Sequence, residues 1–129
     1  MTAAIADSPT SLRGARVLVV EDDPLLALDV KQTLREGGCL VLGPARFLAS
    51  AMQIVRNERL DAAVLDVNLN GELSLPIADA LADHDTPFVW LTSYPRALLP
   101  ERHRDRPVII KPMTGELLLD ELARVAGRR

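Results

Sequence analysis

Short, uninterrupted apolar runs alternate along this chain with longer stretches in which apolar residues recur every three or four positions. The short runs predict strands over 16–21, 39–43, 61–66, 87–92 and 107–110. The longer stretches predict helices, and strands alternating with helices indicate βαβ units around a parallel sheet. Val17-Leu18-Val19-Val20 and Val108-Ile109-Ile110 are apolar at every position, as expected of strands covered on both faces. Five such strands fit a doubly wound, three-layer α/β sandwich. Right-handed crossovers favour the strand order 2-1-3-4-5, with the winding reversing between strands 1 and 3.

Helix signals differ in strength. Asp23 can cap the first helix, Pro24 suits its first position, Leu26, Val30 and Leu34 recur every four residues, and Gly37-Gly38 stops it. A second helix is predicted over about 48–58 and a third over about 75–83. The last follows Pro112, places Leu118, Leu122 and Val125 on one face, and ends at Gly127 with Arg128 and Arg129 beside its negative pole. The fourth connection carries prolines at 95 and 100, which leave little uninterrupted helix, so a short or poorly ordered helix is expected there.

At 129 residues the chain reads as one domain over 14–129, with residues 1–13 a flexible, polar N-terminal tail. Hydrophobic residues make up 48% but aromatic ones only 3%, so the core must be aliphatic. Fifteen lysines and arginines against eighteen acidic residues leave a formal charge of −3, which offers nucleic acid no basic field. The single cysteine, Cys39, cannot form an internal disulfide and reads as a small buried hydrophobe in a reducing, cytoplasmic setting. The sequence contains neither a signal-peptide pattern nor an apolar run of the roughly 18 residues needed to span a membrane.

Three of the predicted strands end in charge. Glu21-Asp22-Asp23 follows the first, Asp66 closes the third and opens the polar loop 67–72, and Lys111-Pro112 follows the fifth. At the end of its strand the Asp66 carboxylate is expected to be presented rather than buried. Ligands of open α/β sheets bind outside the carboxyl ends of the strands where the winding reverses, and there Glu21, Asp22 and Asp66 converge. Two carboxylates about 4 Å apart repel by roughly 4 kcal/mol at an effective dielectric near 20. A hard divalent cation offsets such repulsion, and Mg²⁺ commonly joins one or two carboxylates to a phosphate group. Lys111 adds a second positive charge.

These residues resemble the chemotaxis-regulator-like (CheY-like) receiver domain of two-component response regulators. The matching pieces are Val19-Val20-Glu21-Asp22-Asp23-Pro24, Leu65-Asp66, Leu91-Thr92-Ser93 and Ile110-Lys111-Pro112, and the resemblance covers about 16–126. It implies a flavodoxin-like sheet and a non-enzymatic signalling role. It also implies that Asp66 accepts a phosphoryl group from a histidine kinase or histidine phosphotransfer protein. By the same resemblance, Asp22 and Asp66 are side-chain metal ligands, the Asn68 carbonyl is a main-chain ligand, and Glu21 acts through metal-bound water. Thr92 corresponds to the hydroxyl that binds the phosphoryl group. Lys111 corresponds to the lysine that neutralises it, commonly before a cis proline, here Pro112. With no DNA-binding segment, output would pass to another protein, as yet unidentified.

Departures from the usual receiver are informative. The aromatic switch three residues before the lysine is replaced by Val108, and the proline four residues after the phosphorylated aspartate by Asn70. Meanwhile Pro87-Phe88-Val89-Trp90-Leu91-Thr92-Ser93-Tyr94 and Asp66-Val67-Asn68-Leu69-Asn70-Gly71-Glu72 resemble the single-domain "FAT GUY" regulators. In that subgroup the missing aromatic goes with one just after the threonine, which makes Tyr94 the switch candidate.

Other readings of the same residues exist. A haloacid-dehalogenase-like phosphohydrolase needs a second aspartate two residues after the first, where Asn68 stands. The spacing Asp66-x-Asn68-x-Asn70-Gly71 resembles the start of an EF-hand loop, but position 12 is Ile77 rather than glutamate. A phosphorylation-independent binding module and a phosphate sink that drains a shared kinase are further alternatives. His84 and His103 lack partners at metal spacing and read as solvated. Arg96, Arg102, Arg104 and Arg106 read as a solvated basic face, with partner docking as the alternative.

Overall fold

The computed structural model describes residues 12–126. In chain order the elements are β1 (Arg16–Val20), α1 (Pro24–Glu36), β2 (Leu40–Ala45), α2 (Leu48–Asn57), β3 (Ala62–Leu65), β4 (Asn68–Leu69), β5 (Glu72–Leu73), α3 (Leu75–Asp83), β6 (Phe88–Thr92), β7 (Val108–Ile110) and α4 (Gly115–Ala126). The main sheet runs β2-β1-β3-β6-β7, all parallel. Counted over its own five strands this is the expected order 2-1-3-4-5, and each strand lies within about two residues of its predicted span.

Alternating strand residues feed two cores. Val17, Val19, Ala62, Val64, Val89, Leu91 and Ile109 face α1 and α4, whose Val30, Leu34, Leu118 and Leu122 are fully buried. Leu18, Val20, Ala63, Leu65, Phe88 and Trp90 face α2 and α3, which contribute Ala51, Val55, Ile77, Ala78 and Leu81. Burial of both faces explains why the strands read as continuous apolar runs. Each fully buried aliphatic side chain is worth roughly 1.5–3 kcal/mol, which is enough to form the layers without a disulfide or structural metal.

Local chemistry fixes the element ends. Asp23 Oδ1 accepts the Leu25 and Leu26 amides at 3.0 and 3.4 Å, capping α1 as predicted. Leu26 is only partly buried and Ala27 takes the deeper position, while in α4 Ala126 closes the buried stripe in place of Val125. Thr114 Oγ1 caps α4 through the Leu117 amide, and the expected stop at Gly127 lies outside the described residues. The predicted tail also lies outside them except for Leu12 and Arg13. Leu12 is buried in the core and Gly14 bonds Gly38, so the folded region reaches back to Leu12. Cys39 is buried, which pushes its thiol up to about 11.

Three features depart from the sequence reading. First, the loop after Asp66 contains the antiparallel hairpin β4–β5, turned by Asn70 (φ 53°) and Gly71 (φ 89°). A two-residue turn with both φ positive matches strand twist, and Asn-Gly is its preferred sequence. Second, the short fourth helix expected after the prolines is present only as two 3-10 turns, Arg96–Leu98 and Glu101–His103, each starting just after a proline. Third, His103 is buried rather than solvated. Its Nε2 meets Asp79 Oδ1 at 2.8 Å, its ring packs edge-on to Phe88, and its carbonyl accepts the Trp90 indole N–H at 3.0 Å. His84 is exposed, its Nδ1 against the Ala80 carbonyl.

The arginines of the basic face, of which Arg96 and Arg102 are exposed as expected, also bond within the chain. Arg96 donates to the Arg104 and Arg106 carbonyls, Arg104 to the Leu99 carbonyl, and Arg102 to both Asp79 oxygens. Arg106 lies 4.4 Å over the Phe88 ring. Arg96 and Arg104 thus satisfy the Leu99, Arg104 and Arg106 carbonyls, which the 3-10 turns leave without backbone partners among the described residues.

Candidate functional site

The register of the sheet sets the site. Val20 pairs with Leu65, so Glu21 and Asp66 leave β1 and β3 side by side, and the Asp66 amide donates to the Val20 carbonyl at 3.1 Å. Thr92 pairs with Ile110, and the Lys111 amide continues that ladder onto the Thr92 carbonyl at 2.8 Å. Lys111 thus leaves β7 at the same rim as Asp66. The Lys111–Pro112 bond is cis.

Side chains then close on one another. Lys111 Nζ lies 3.1 Å from Asp66 Oδ2 and 3.2 Å from Glu21 Oε1. One oxygen from each of Glu21, Asp22 and Asp66 lies within 4.8 Å of the other two. Asp66 is buried at 7% exposure, a correction to the expected presented carboxylate, because Lys111 sits over it and the chain beyond folds back as the hairpin. Ser74, between the predicted loop and the predicted third helix, is fully buried. It donates to the Asp66 carbonyl at 2.5 Å and its amide donates to the Val67 carbonyl at 2.8 Å.

Electrostatics make the cluster strained without a further cation. Glu21 is 1% exposed, and its carboxyl is pushed up from 4.5 to about 7. Burial is the main cause and the charge of Asp66 adds to it, while the Asp23 amide on Oε2 and nearby Lys111 pull the other way. Burial alone would lower Lys111, but Asp66 and Glu21 outweigh it and hold the ammonium above its ordinary value. Ionised carboxylate oxygens within 4.8 Å of one another repel by at least about 3 kcal/mol per pair at an effective dielectric near 20. With all three ionised, one lysine leaves the cluster two charges negative.

The donor set fits a hard cation. All three acidic groups offer oxygen, and Glu21 Oε1 is a buried oxygen at ion-pair distance from Lys111 but with no aligned hydrogen bond. Such an orphaned carboxylate oxygen suits the hydrated shell of Mg²⁺, which keeps several waters.

The other anticipated residues lie around this group. Thr92 is buried, and its Oγ1 accepts the Tyr94 amide at 3.0 Å. The Tyr94 ring is half-buried and packs against the same core as Val108. Asn68 belongs to β4 and its side chain is occupied within the turn, accepting the Gly71 amide at 2.8 Å. Two contributors escaped the sequence reading, Ser74 and the Asn70 amide, which donates to Asp22 Oδ2 at 2.9 Å. Ser74 preceding Leu75-Pro76 carried the signal of a helix cap. Here the hydroxyl caps no amide and serves Asp66 instead.

Comparison with known proteins bears on the family of the chain. The phyllosphere-induced regulator PhyR of Methylorubrum extorquens is 32% identical over 100 residues, 74% of this chain and 38% of that protein. The transcriptional regulatory protein PdtaR of Mycobacterium tuberculosis is 28% identical over 117 residues, 88% of this chain and 57% of that protein. The chain therefore spans well under two thirds of either curated relative. The solution structure of SdrG from Sphingomonas melonis Fr1 superposes with a TM-score of 0.77 at 39% identity, covering 89% of this chain and 97% of that one. PhyR and PdtaR are regulators by name. The family model for the response regulator receiver domain matches residues 17–122, and the chain belongs to that family.

Proposed function

We propose that this receiver accepts a phosphoryl group on Asp66 from the phosphohistidine of a histidine kinase or histidine phosphotransfer protein, and signals by protein contacts. The observation that carries the proposal is the Asp66 carboxylate held 3.1 Å from Lys111 beside two further carboxylates. In the reaction an Asp66 oxygen attacks phosphorus in line, a P–O bond forms, and the P–N bond to imidazole breaks with its electrons leaving on nitrogen. Lys111 neutralises charge on the transferred group, and the Thr92 hydroxyl donates to one of its oxygens. Asp22, Asp66, the Asn68 carbonyl and, through water, Glu21 would hold Mg²⁺, which supplies charge neutralisation at the phosphoryl oxygens.

Output on this reading goes through Tyr94. A groove of about 420 Å³, lined by Ser93, Pro95, Arg96, Val108 and Ile110, lies beside it where no aromatic side chain fills the strand-end position. The setting is cytoplasmic, since that is where kinases supplied with ATP act. No helix among the described residues is long and apolar enough to cross a membrane.

Incubation with acetyl phosphate and Mg²⁺, read by intact mass and by mapping the modified residue, tests the proposal. The expected result is one phosphoryl group on Asp66, absent in Asp66→Asn. No acyl phosphate with either the small donor or a phosphorylated histidine protein would refute it and favour a phosphorylation-independent binding module.

A further inference from the structure

Asn70 carries no charge, yet it joins three segments at the cation site. Its backbone N–H donates to Asp22 Oδ2 at 2.9 Å, across 48 positions of sequence. Its side-chain amide donates to the Arg46 carbonyl at 2.9 Å, in the connection between β2 and α2. Its backbone sits at φ 53°, the left-handed region that asparagine and glycine enter with least strain. Gly71 follows at φ 89° and is tied to Asn68 Oδ1. The polar groups of this turn are therefore committed inward, to the acidic loop, to the β2–α2 connection and to the turn itself.

The consequence for Asp22 is geometric. A carboxylate on a loop samples several rotamers, and fixing one on binding a cation costs free energy that a preorganised group does not lose. With Oδ2 taken by the Asn70 amide, the side chain is held in one orientation and its other oxygen is left for the cation. The same bond clamps the β4–β5 hairpin, which contains Asn68, onto the loop that contains Asp22. We infer that Asn70 is a positioning residue for Asp22, acting through its backbone N–H, and that its side chain braces the turn that aims that N–H. The inference rests on the cation reading proposed above. It requires a residue that combines an N–H donor with a positive φ, which excludes proline and disfavours β-branched side chains.

The test uses the full chain, MgCl₂ and acetyl phosphate. Outer partners of metal ligands typically contribute tenfold or more to affinity, so Asn70→Pro should weaken Mg²⁺ binding by about tenfold in calorimetric titration. In phosphorylation kinetics the half-saturating Mg²⁺ concentration should rise equally while the rate at saturating Mg²⁺ holds. Asn70→Gly, which restores the donor and tolerates positive φ, should recover Mg²⁺ affinity to within about threefold of the parent. A proline ring also strains the turn, so amide exchange in the unaltered metal-free protein gives a second reading. The Asn70 amide should be protected there and lose protection in Asp22→Ala, with the Gly71 amide unaffected. Parent-like Mg²⁺ affinity in Asn70→Pro, equal losses in the glycine and proline variants, or an unprotected Asn70 amide would each overturn the inference. Failure of the parent protein to bind Mg²⁺ would instead refute the cation reading, with the exchange result still judging the Asn70–Asp22 bond.

Discussion

Glu21→Gln should stabilise the metal-free protein while weakening its hold on Mg²⁺, and the gain should depend on pH in a defined way. The folded-state carboxyl titrates near 7 against an ordinary 4.5, so between those values the folded chain binds more protons than the unfolded one. Stability therefore falls as pH rises through that window. Below about 4.5 the penalty is absent, and above about 7 it is complete. At about 1.4 kcal/mol per pH unit, the whole penalty is about 3 kcal/mol. That value already includes the attraction of Lys111, which is among the influences that lower the Glu21 carboxyl. Glutamine keeps nearly the same shape and an oxygen for the Asp23 amide, so most of the penalty should be recovered: about 2 kcal/mol at pH 8 and about a quarter of that at pH 5. For a domain of this size that corresponds to roughly 8 °C in melting temperature. Urea and thermal unfolding with a chelator present, from pH 5 to 8, measure it directly. Excess Mg²⁺ should then stabilise the parent more than the variant, because ligand stabilisation grows with affinity. A gain equal at pH 5 and pH 8, or a loss at pH 8, would refute the assignment of strain to the buried Glu21 charge.

Lys111→Met removes the ammonium between Asp66 and Glu21 and should cost about 3 kcal/mol at pH 8 in metal-free urea unfolding, with a clearly smaller loss at pH 5 where Glu21 is protonated. Asp79 is held down at about 2, first by its bonds to Arg102 and then by His103, so the stability it contributes is complete above its ordinary 3.8 and lost as pH falls through about 2. Its side chain is 38% exposed, so solvent screening limits that contribution to about 1 kcal/mol; the difference between parent and Asp79→Asn in urea at pH 7 should shrink steadily below pH 4. Tyr94→Ala should still be phosphorylated but lose the difference in kinase or target affinity between the phosphorylated and free forms. An unchanged difference in a binding titration would rule out Tyr94 as the switch.

Much of this molecule is written in local pattern. The parallel sheet follows from Val17-Leu18-Val19-Val20 and its counterparts, because strands buried on both faces need no alternation. Helix α1 follows from Asp23, Pro24 and Gly37, since caps are local chemistry. The site was legible for the same reason, since Glu21, Asp22, Asp66 and Lys111 each follow directly on a strand and strand order alone makes them neighbours. The failures share a different cause. His103 reads as solvated because its partners, Asp79 and Phe88, lie 24 and 15 positions away and only the fold joins them. The hairpin is too short to show a period of two, although Asn70-Gly71 is a strong turn signal that the reading as a polar loop passed over. Asp66 was expected to be presented because strand ends usually are, but whether a strand end is covered depends on Lys111 and on the chain after it.

The burial of Asp66 also constrains how its occupancy is communicated. Its backbone is fixed on both sides, the amide on the Val20 carbonyl and the carbonyl under the Ser74 hydroxyl, so a new group on the carboxylate cannot be accommodated by shifting this main chain. The groups free to respond are side chains. Lys111 divides its charge between Asp66 and Glu21 and would turn toward a phosphoryl group, leaving Glu21 to a proton or to metal-bound water. Thr92 Oγ1 accepts the Tyr94 amide and, on the proposed reading, would donate its hydroxyl hydrogen to a phosphoryl oxygen, which would couple the backbone of Tyr94 to the site. From there the chain enters the stretch of two 3-10 turns, in which the Leu99, Arg104 and Arg106 carbonyls accept from the Arg104 and Arg96 guanidinium groups. Hydrogen bonds of this kind are worth roughly 0.5–1.5 kcal/mol each, against several that must break together to shift a packed helix. A ligand shifts an equilibrium by no more than its differential free energy, so any response of this segment would be bounded by the difference that Thr92 and Lys111 make between the two states. Arg96, Arg104, His103 and the buried Leu99 hold the segment in place, so a response beyond Tyr94 would require that difference to exceed the bonds it breaks.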